Sequence, residues 1–125
     1  ITRAVGGPGL GGGRSPGRGY PASMPSIDQL QSLLEKSPDD AFLLYAIALE
    51  HAKLGDHDTA LVYFDRAIAA EPGNGYHYFH KARSLEALDR VSDAHMTLAE
   101  GVARAKETGD AKAVSELSGE LDRLS

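Results

Sequence analysis

The sequence predicts an all-α protein built from antiparallel helix-turn-helix repeats, stacked into a short solenoid of about six helices. Three observations carry that prediction. Apolar residues recur at three- and four-residue steps in six segments from Ser26 onward. Only a few breaker residues separate neighbouring segments, which forces successive helices to pack antiparallel. Shifted by 34 residues, the chain also matches itself, large apolar on large apolar and small on small. Nothing in this stretch reads as a strand.

Residues 1–23 come first, rich in Gly and Pro, with Arg3, Arg14 and Arg18 and no acid. Such a segment buries too little apolar surface to offset its ordering entropy, so it is expected to be a flexible tail. The chain begins with Ile1, and Met24 stands just before the first patterned segment. A tail of expression or start-site origin is therefore expected, the alternative being a basic arm that reaches an acidic surface.

The domain proper is expected over 24–125. Its apolar segments run Ile27–Leu34, Phe42–Leu54, Ala60–Ala70, Tyr76–Leu88, Val91–Ala105 and Val114–Leu124. The breakers between them are Ser37-Pro38-Asp39-Asp40, Gly55-Asp56, Pro72-Gly73-Asn74-Gly75, Asp89-Arg90 and Thr108-Gly109-Asp110. Pro38 and Pro72 end one helix and open the next turn, since proline cannot continue the backbone ladder. Asp39-Asp40 and Asp56 with Asp58 suit helix starts, where carboxylates accept from orphan amides.

The 34-residue shift lays Leu44 on Tyr78, Ala48 on Ala82, Ala60 on Ala94, Phe64 on Leu98 and Ala67 on Gly101. It also lays Pro38 on Pro72, Leu30 on Phe64 and Leu34 on Ile68. Small residues at Ala48, Ala60 and Ala67 are expected where helices approach closely, with Leu44, Phe64 and Tyr78 filling the volume between them. One such unit cannot bury its own apolar face, so units must stack and their ends need covering.

Residues 41–74 resemble a tetratricopeptide repeat throughout: Leu44-x2-Ile47-Ala48-x2-His51, Gly55-Asp56, Ala60-x3-Phe64, Ala67 and Pro72. Residues 75–108 are similar to a looser copy. Residues 26–40 resemble the second helix of a preceding unit, and 109–125 the first helix of a following one, so each is expected to serve as a cover. The resemblance implies a right-handed α-solenoid. Two departures stand out: Lys81 occupies an apolar slot, and Lys106 replaces the expected proline, so the last helix pair is expected to run on.

In that family the first helix of each unit lines a concave wall. Carried over by slot, the wall is Phe42, Tyr45, Leu49 and Lys53, then Tyr76, Phe79, His80 and Arg83, then Lys112, Ser115 and Asp122. Tyr45, Leu49, Phe79 and Arg83 lie beside the core stripes of their helices, and a helix apolar beyond its core stripe needs a second partner. Aromatic anchors beside an arginine are the chemistry of binding hot spots. The alternative is that these rings are buried against the tail or a covering helix. A subset of the family grips a chaperone's C-terminal carboxylate with a Lys–Asn–Asn–Lys–Arg set. Here the matching slots hold Tyr45, Leu49, His80, Lys112 and Glu116, of which only Lys112 agrees. The expected ligand is instead an apolar or aromatic peptide, with an acid meeting His80 or Arg83.

Composition bounds the rest. The length suits one domain, and 42% hydrophobic with 25% charged residues is ordinary for a soluble fold. No apolar run nears the roughly 18 residues of a membrane span, and the amino terminus has no secretory core. The absence of cysteine excludes disulfides and thiolate chemistry and fits a cytoplasmic protein. The net charge is −5; apart from the three tail arginines, 10 basic residues face 18 acidic ones, a net −8 that argues against nucleic acid. No G-x-S-x-G, H-E-x-x-H or phosphate-binding glycine loop joined to a strand occurs, so no enzyme and no cofactor are expected. His77 and His80, three apart, have metal-ligand spacing, but the sequence forces no third ligand near them, and they read as ordinary helix-surface residues. His51 and His57 read as packing residues and His95 as exposed. The function expected is a protein-protein interaction module that binds a peptide or protein on its concave face. The alternatives are a structural unit that self-assembles through its open ends, giving a homo-oligomer, and one interaction domain of a larger protein.

Overall fold

Five of the six helices start where a short polar side chain takes up a free amide of the first turn. The computed structural model describes residues 25–125; the tail expected over 1–23 lies outside them. Helix α1 (Ile27–Lys36) opens with a reciprocal box: Gln29 N donates to Ser26 Oγ at 3.2 Å, and Ser26 N donates to Gln29 Oε1 at 2.8 Å. Asp40 caps α2 (Ala41–Lys53), Asp56 caps α3 (His57–Ala70) and Asn74 caps α4 (Gly75–Ala87). Helix α5 (Val91–Thr108) has Arg90 at its cap and no side-chain bond there, whereas Asp110 caps α6 (Ala111–Leu124).

The 34-residue period is visible in the backbone. The turn inside the first unit needs a left-handed residue, supplied by Gly55 at φ 80°. The same station in the second unit is Asp89 at φ 60°, the one non-glycine residue with positive φ among those described. Helix α5 runs beyond Ala105 to Thr108, because Lys106 stands where a proline would have stopped it. It ends at Gly109, whose φ of 73° closes the helix in the left-handed conformation.

Neighbouring helices pack in sequence, α1 on α2 through α5 on α6, and the first helices of successive units also touch, α2 with α4 and α4 with α6. The alanine slots lie at these contacts: Ala48, Ala60, Ala67 and Ala94 are fully buried. Leu44, Phe64 and Tyr78 fill the space between, each 1% exposed, and burial of one such side chain contributes about 1.5–3 kcal/mol. The Tyr78 hydroxyl donates to the Pro72 carbonyl at 2.8 Å, which ties α4 to the turn before it. Gly101 lets α5 come close to α4: a Cβ there would sit 2.8 Å from the Tyr78 Cβ. Lys81 keeps its stem against the core and reaches out to Asp65 at 2.7 Å, so its apolar slot is filled without burying the ammonium.

Candidate protein-binding face

Because α2, α4 and α6 lie side by side in the stack, residues one turn apart on each line a common face. Two hollows open on it and meet at Tyr76. The first, of about 480 Å3, is bounded by Phe42, Tyr45, Tyr76 and His77 with Asp40 and Glu71. The second, of about 400 Å3, is bounded by Tyr76, Phe79 and His80 from α4 and by Ser115, Glu116, Gly119 and Glu120 from α6. Phe42, 67% exposed, and Tyr76, 40% exposed, are the rings left most open to solvent.

The other rings pack on one another. Tyr45 lies 5.3 Å from His77, 5.5 Å from His80 and 6.4 Å from Phe64, centroid to centroid. His80 stacks nearly parallel on Phe64 and meets Phe79 edge-on at 5.1 Å. The Arg83 guanidinium lies 5.5 Å above the Phe79 ring and 3.4 Å from Glu120. Arg123 clamps the same carboxylate at 3.0 Å and Glu86 at 2.8 Å, joining α6 to α4.

His77 corrects the reading of it as a helix-surface residue: it is 2% exposed. Its Nε2 donates to Glu71 Oε1 at 3.0 Å, which leaves Nδ1 as a buried acceptor with no partner. Burial pulls the His77 pKa down more strongly than Glu71 holds it up. Burial, then the charges of Arg83 and His77, lower that of His80 as well. Both imidazoles are therefore neutral near pH 7. Among the described residues, no group of three or more His, Cys, Asp or Glu side chains converges as a metal would need.

Of the wall residues expected from the sequence, Phe42, Tyr45, Tyr76, Phe79, His80 and Ser115 come together around the two hollows. Arg83 stands at their rim. Leu49 packs instead with Ala48, Ala60 and Phe64. Lys53 pairs with Glu50 at 3.0 Å at the end of α2, and Lys112 and Asp122 are exposed on α6 outside both hollows. Of the two residues expected to meet an acid, Arg83 lies 3.4 Å from Glu120 and His80 is half-buried among rings. The carboxylates Glu71 and Glu120 are wall residues that the slots do not give, whereas Glu116, which a ligand slot does give, lines the second hollow. Glu116 and Glu120 are four apart and so share a face of α6, whereas Asp122, seven on from Ser115, follows the helical spacing of Ser115 yet lies outside the hollow.

His51 stacks on Tyr63 and His57 meets the Ser84 hydroxyl at 3.1 Å, both packing as expected, and His95 is exposed. No helix among the described residues is long and apolar enough to cross a membrane.

Paired antiparallel helices at a 34-residue period, stacked with their first helices on one face, define a helical-repeat protein. No protein-family model matches the chain. Solved structures do. The solution structure of a tetratricopeptide repeat domain protein from Salinibacter ruber is 36% identical, over 70% of this chain and 88% of that one, with a TM-score of 0.65. PcrH of Pseudomonas aeruginosa, solved with the chaperone-binding region of PopD, is 16% identical over 78% of this chain and 74% of that one, TM-score 0.72. The TPR2B domain of yeast Sti1, solved with pHsp70, is 20% identical over 78% of each chain, TM-score 0.72. The chain belongs to the tetratricopeptide repeat family.

Proposed function

We propose that the chain is a non-catalytic interaction module that holds a segment of a partner protein on the face shared by α2, α4 and α6. The observation that carries this is the pair of open rings, Phe42 and Tyr76, standing on adjacent helices at hollows of about 480 and 400 Å3. Exposed aromatic rings beside concave apolar space are what a bound side chain needs to lose water and gain contacts. Complexes of similar folds, PcrH with part of PopD and Sti1 with pHsp70, support the reading. The carboxylate-gripping residue set is not reproduced, so a chaperone's acidic C-terminus is not the ligand inferred. The cysteine-free composition suits a cytoplasmic setting.

The test compares capture of proteins from the source lysate by the wild-type chain and by Phe42→Ala/Tyr76→Ala. Both rings are exposed, so circular dichroism and melting of the variant should match the wild type. A protein held by the first and released by the second identifies the face as the binding site. Equal retention by both sinks the reading.

A further inference from the structure

On the binding reading above, we propose that the segment received is cationic: an extended peptide of a partner protein that sets Lys or Arg beside its bulky apolar side chains. The walls of the two hollows carry Asp40, Glu71, Glu116 and Glu120 and neither Lys nor Arg. Glu120 is engaged by Arg83 and Arg123. In the first hollow Asp40 accepts from the Leu43 amide and Glu71 from Asn74 and His77, with no Lys or Arg among the described residues paired to either, and in the second Glu116 carries its charge alone. Glu116 makes no hydrogen bond or ion pair among the described residues, and Lys112, one turn before it, stays beyond pairing distance. The amino ends of α2 and α4 bring partial positive charge to the first hollow, about half a unit each. Two carboxylates outweigh that.

The histidines offer an acid nothing to meet. His77 donates through Nε2 to Glu71, and its Nδ1 is a buried acceptor. Both histidines at this face are neutral, so they supply no positive charge to hold an acid. Outside the tail the chain stands at −8, which raises the local concentration of a basic ligand before contact.

The experiment uses the full chain and three fluorescein-labelled nonapeptides. All carry the same Phe and Leu, with lysine, serine or glutamate at the remaining positions. Fluorescence anisotropy should give the lysine peptide about a tenfold lower Kd than the glutamate peptide, with serine between, since opposite-charge pairs attract and like charges repel at such a surface. The advantage should shrink at ~0.5 M salt, where screening acts within a few ångströms. Glu116→Lys, an exposed change on α6, should erase it, while Phe42→Ala/Tyr76→Ala should weaken all three peptides alike. If those ring substitutions weaken binding but the three peptides bind equally, or glutamate binds best, the cationic ligand is refuted and the binding face stands. If no peptide binds, or the ring substitutions change nothing, both fall.

Two other occupants are separated in the same assay. Replacing Arg3, Arg14 and Arg18 by glutamate should leave the lysine-peptide Kd unchanged; about a tenfold gain would assign the hollows to the chain's own amino-terminal segment, held at high effective concentration, and overturn the partner. Light scattering that shows a dimer dissociated by the lysine peptide would assign them to a second copy and overturn it likewise.

Discussion

Replacing Gly101 by alanine sets two effects of opposite sign against each other, and the structure says which wins. Gly101 lies inside α5, where alanine is favoured over glycine by about 1 kcal/mol. The new methyl, however, would stand 2.8 Å from the Tyr78 Cβ, 3.1 Å from its Cγ and 3.2 Å from a Leu117 methyl. Leu117 can move a methyl by changing rotamer. The Tyr78 Cβ cannot move alone, since its ring is buried and its hydroxyl is bound to Pro72, so α4 and α5 must separate. Overpacking of that kind costs about 1–3 kcal/mol, and its rigid partner places this site toward the upper end. The net expectation is a loss of about 1–2 kcal/mol, and each kcal/mol lowers Tm by roughly 4–8 °C in a domain of this size. Gly119→Ala is the control: it lies in α6, and a Cβ there meets nothing within 4 Å. It should raise stability by up to about 1 kcal/mol through helix propensity alone. Urea unfolding of both variants decides. A Gly101→Ala protein as stable as the wild type would show that close approach at this glycine does not set the spacing of α4 and α5.

Three further outcomes are expected. Restoring the first unit's Gly-Asp turn in the second, with Asp89→Gly and Arg90→Asp, should relieve a left-handed aspartate and cap α5, raising stability by about 1 kcal/mol in thermal unfolding. Ala60→Leu should cost about 1–3 kcal/mol, because the side chain enters a fully buried slot between helices, while the exposed Ala69→Leu should change unfolding by less than about 0.5 kcal/mol. Stability should also fall with acid. His77 and His80 are held below their ordinary pKa, chiefly by burial, so the unfolded chain takes up protons first. The contribution of the neutral histidines is complete above about pH 6.5 and is lost as pH falls from there toward their lowered native values. His80→Phe, which keeps the stack on Phe64, should flatten the fall in Tm between pH 7 and pH 5 relative to wild type; an unchanged profile would exclude His80 as a source.

The helices were legible because periodicity and breakers agree. The boundaries that shifted have local causes. Helix α3 begins at His57 because Asp56 caps it, yet His57-Asp58-Thr59 carries no apolar signal from which to read a first turn. The extension of α5 past Ala105 follows from a missing proline, which the sequence does display. At the face, slot carry-over puts the rings on α2 and α4 but does not report their condition. Tyr45 and Phe42 share a helix, yet Tyr45 is taken up by Phe64 and two histidines from other elements, while Phe42 stays open. Which ring is consumed depends on contacts between units, and no period within one unit reports them. On α6, where the match to the repeat runs two residues late, the carry-over reaches Ser115 and Glu116 but also names Lys112 and Asp122, which lie outside the hollows, and passes over Glu120.

The ring cluster of Tyr45, Phe64, His77 and His80 joins two bodies of core, one formed by α1, α2 and part of α3, the other mainly by α4, α5 and α6. Neighbour-only packing of this kind unfolds in cooperative blocks rather than all at once. Native-state hydrogen exchange should then resolve steps: the amides of α1 open first, because that end helix has its backbone beside α2 alone and reaches α3 only through side chains such as Gln31 on Tyr63, and the amides around Ile47 and Leu98 report separate openings. A segment seated across Tyr76 would bridge the blocks and merge those openings into one, so that occupancy of the face is read as a change in cooperativity along the chain.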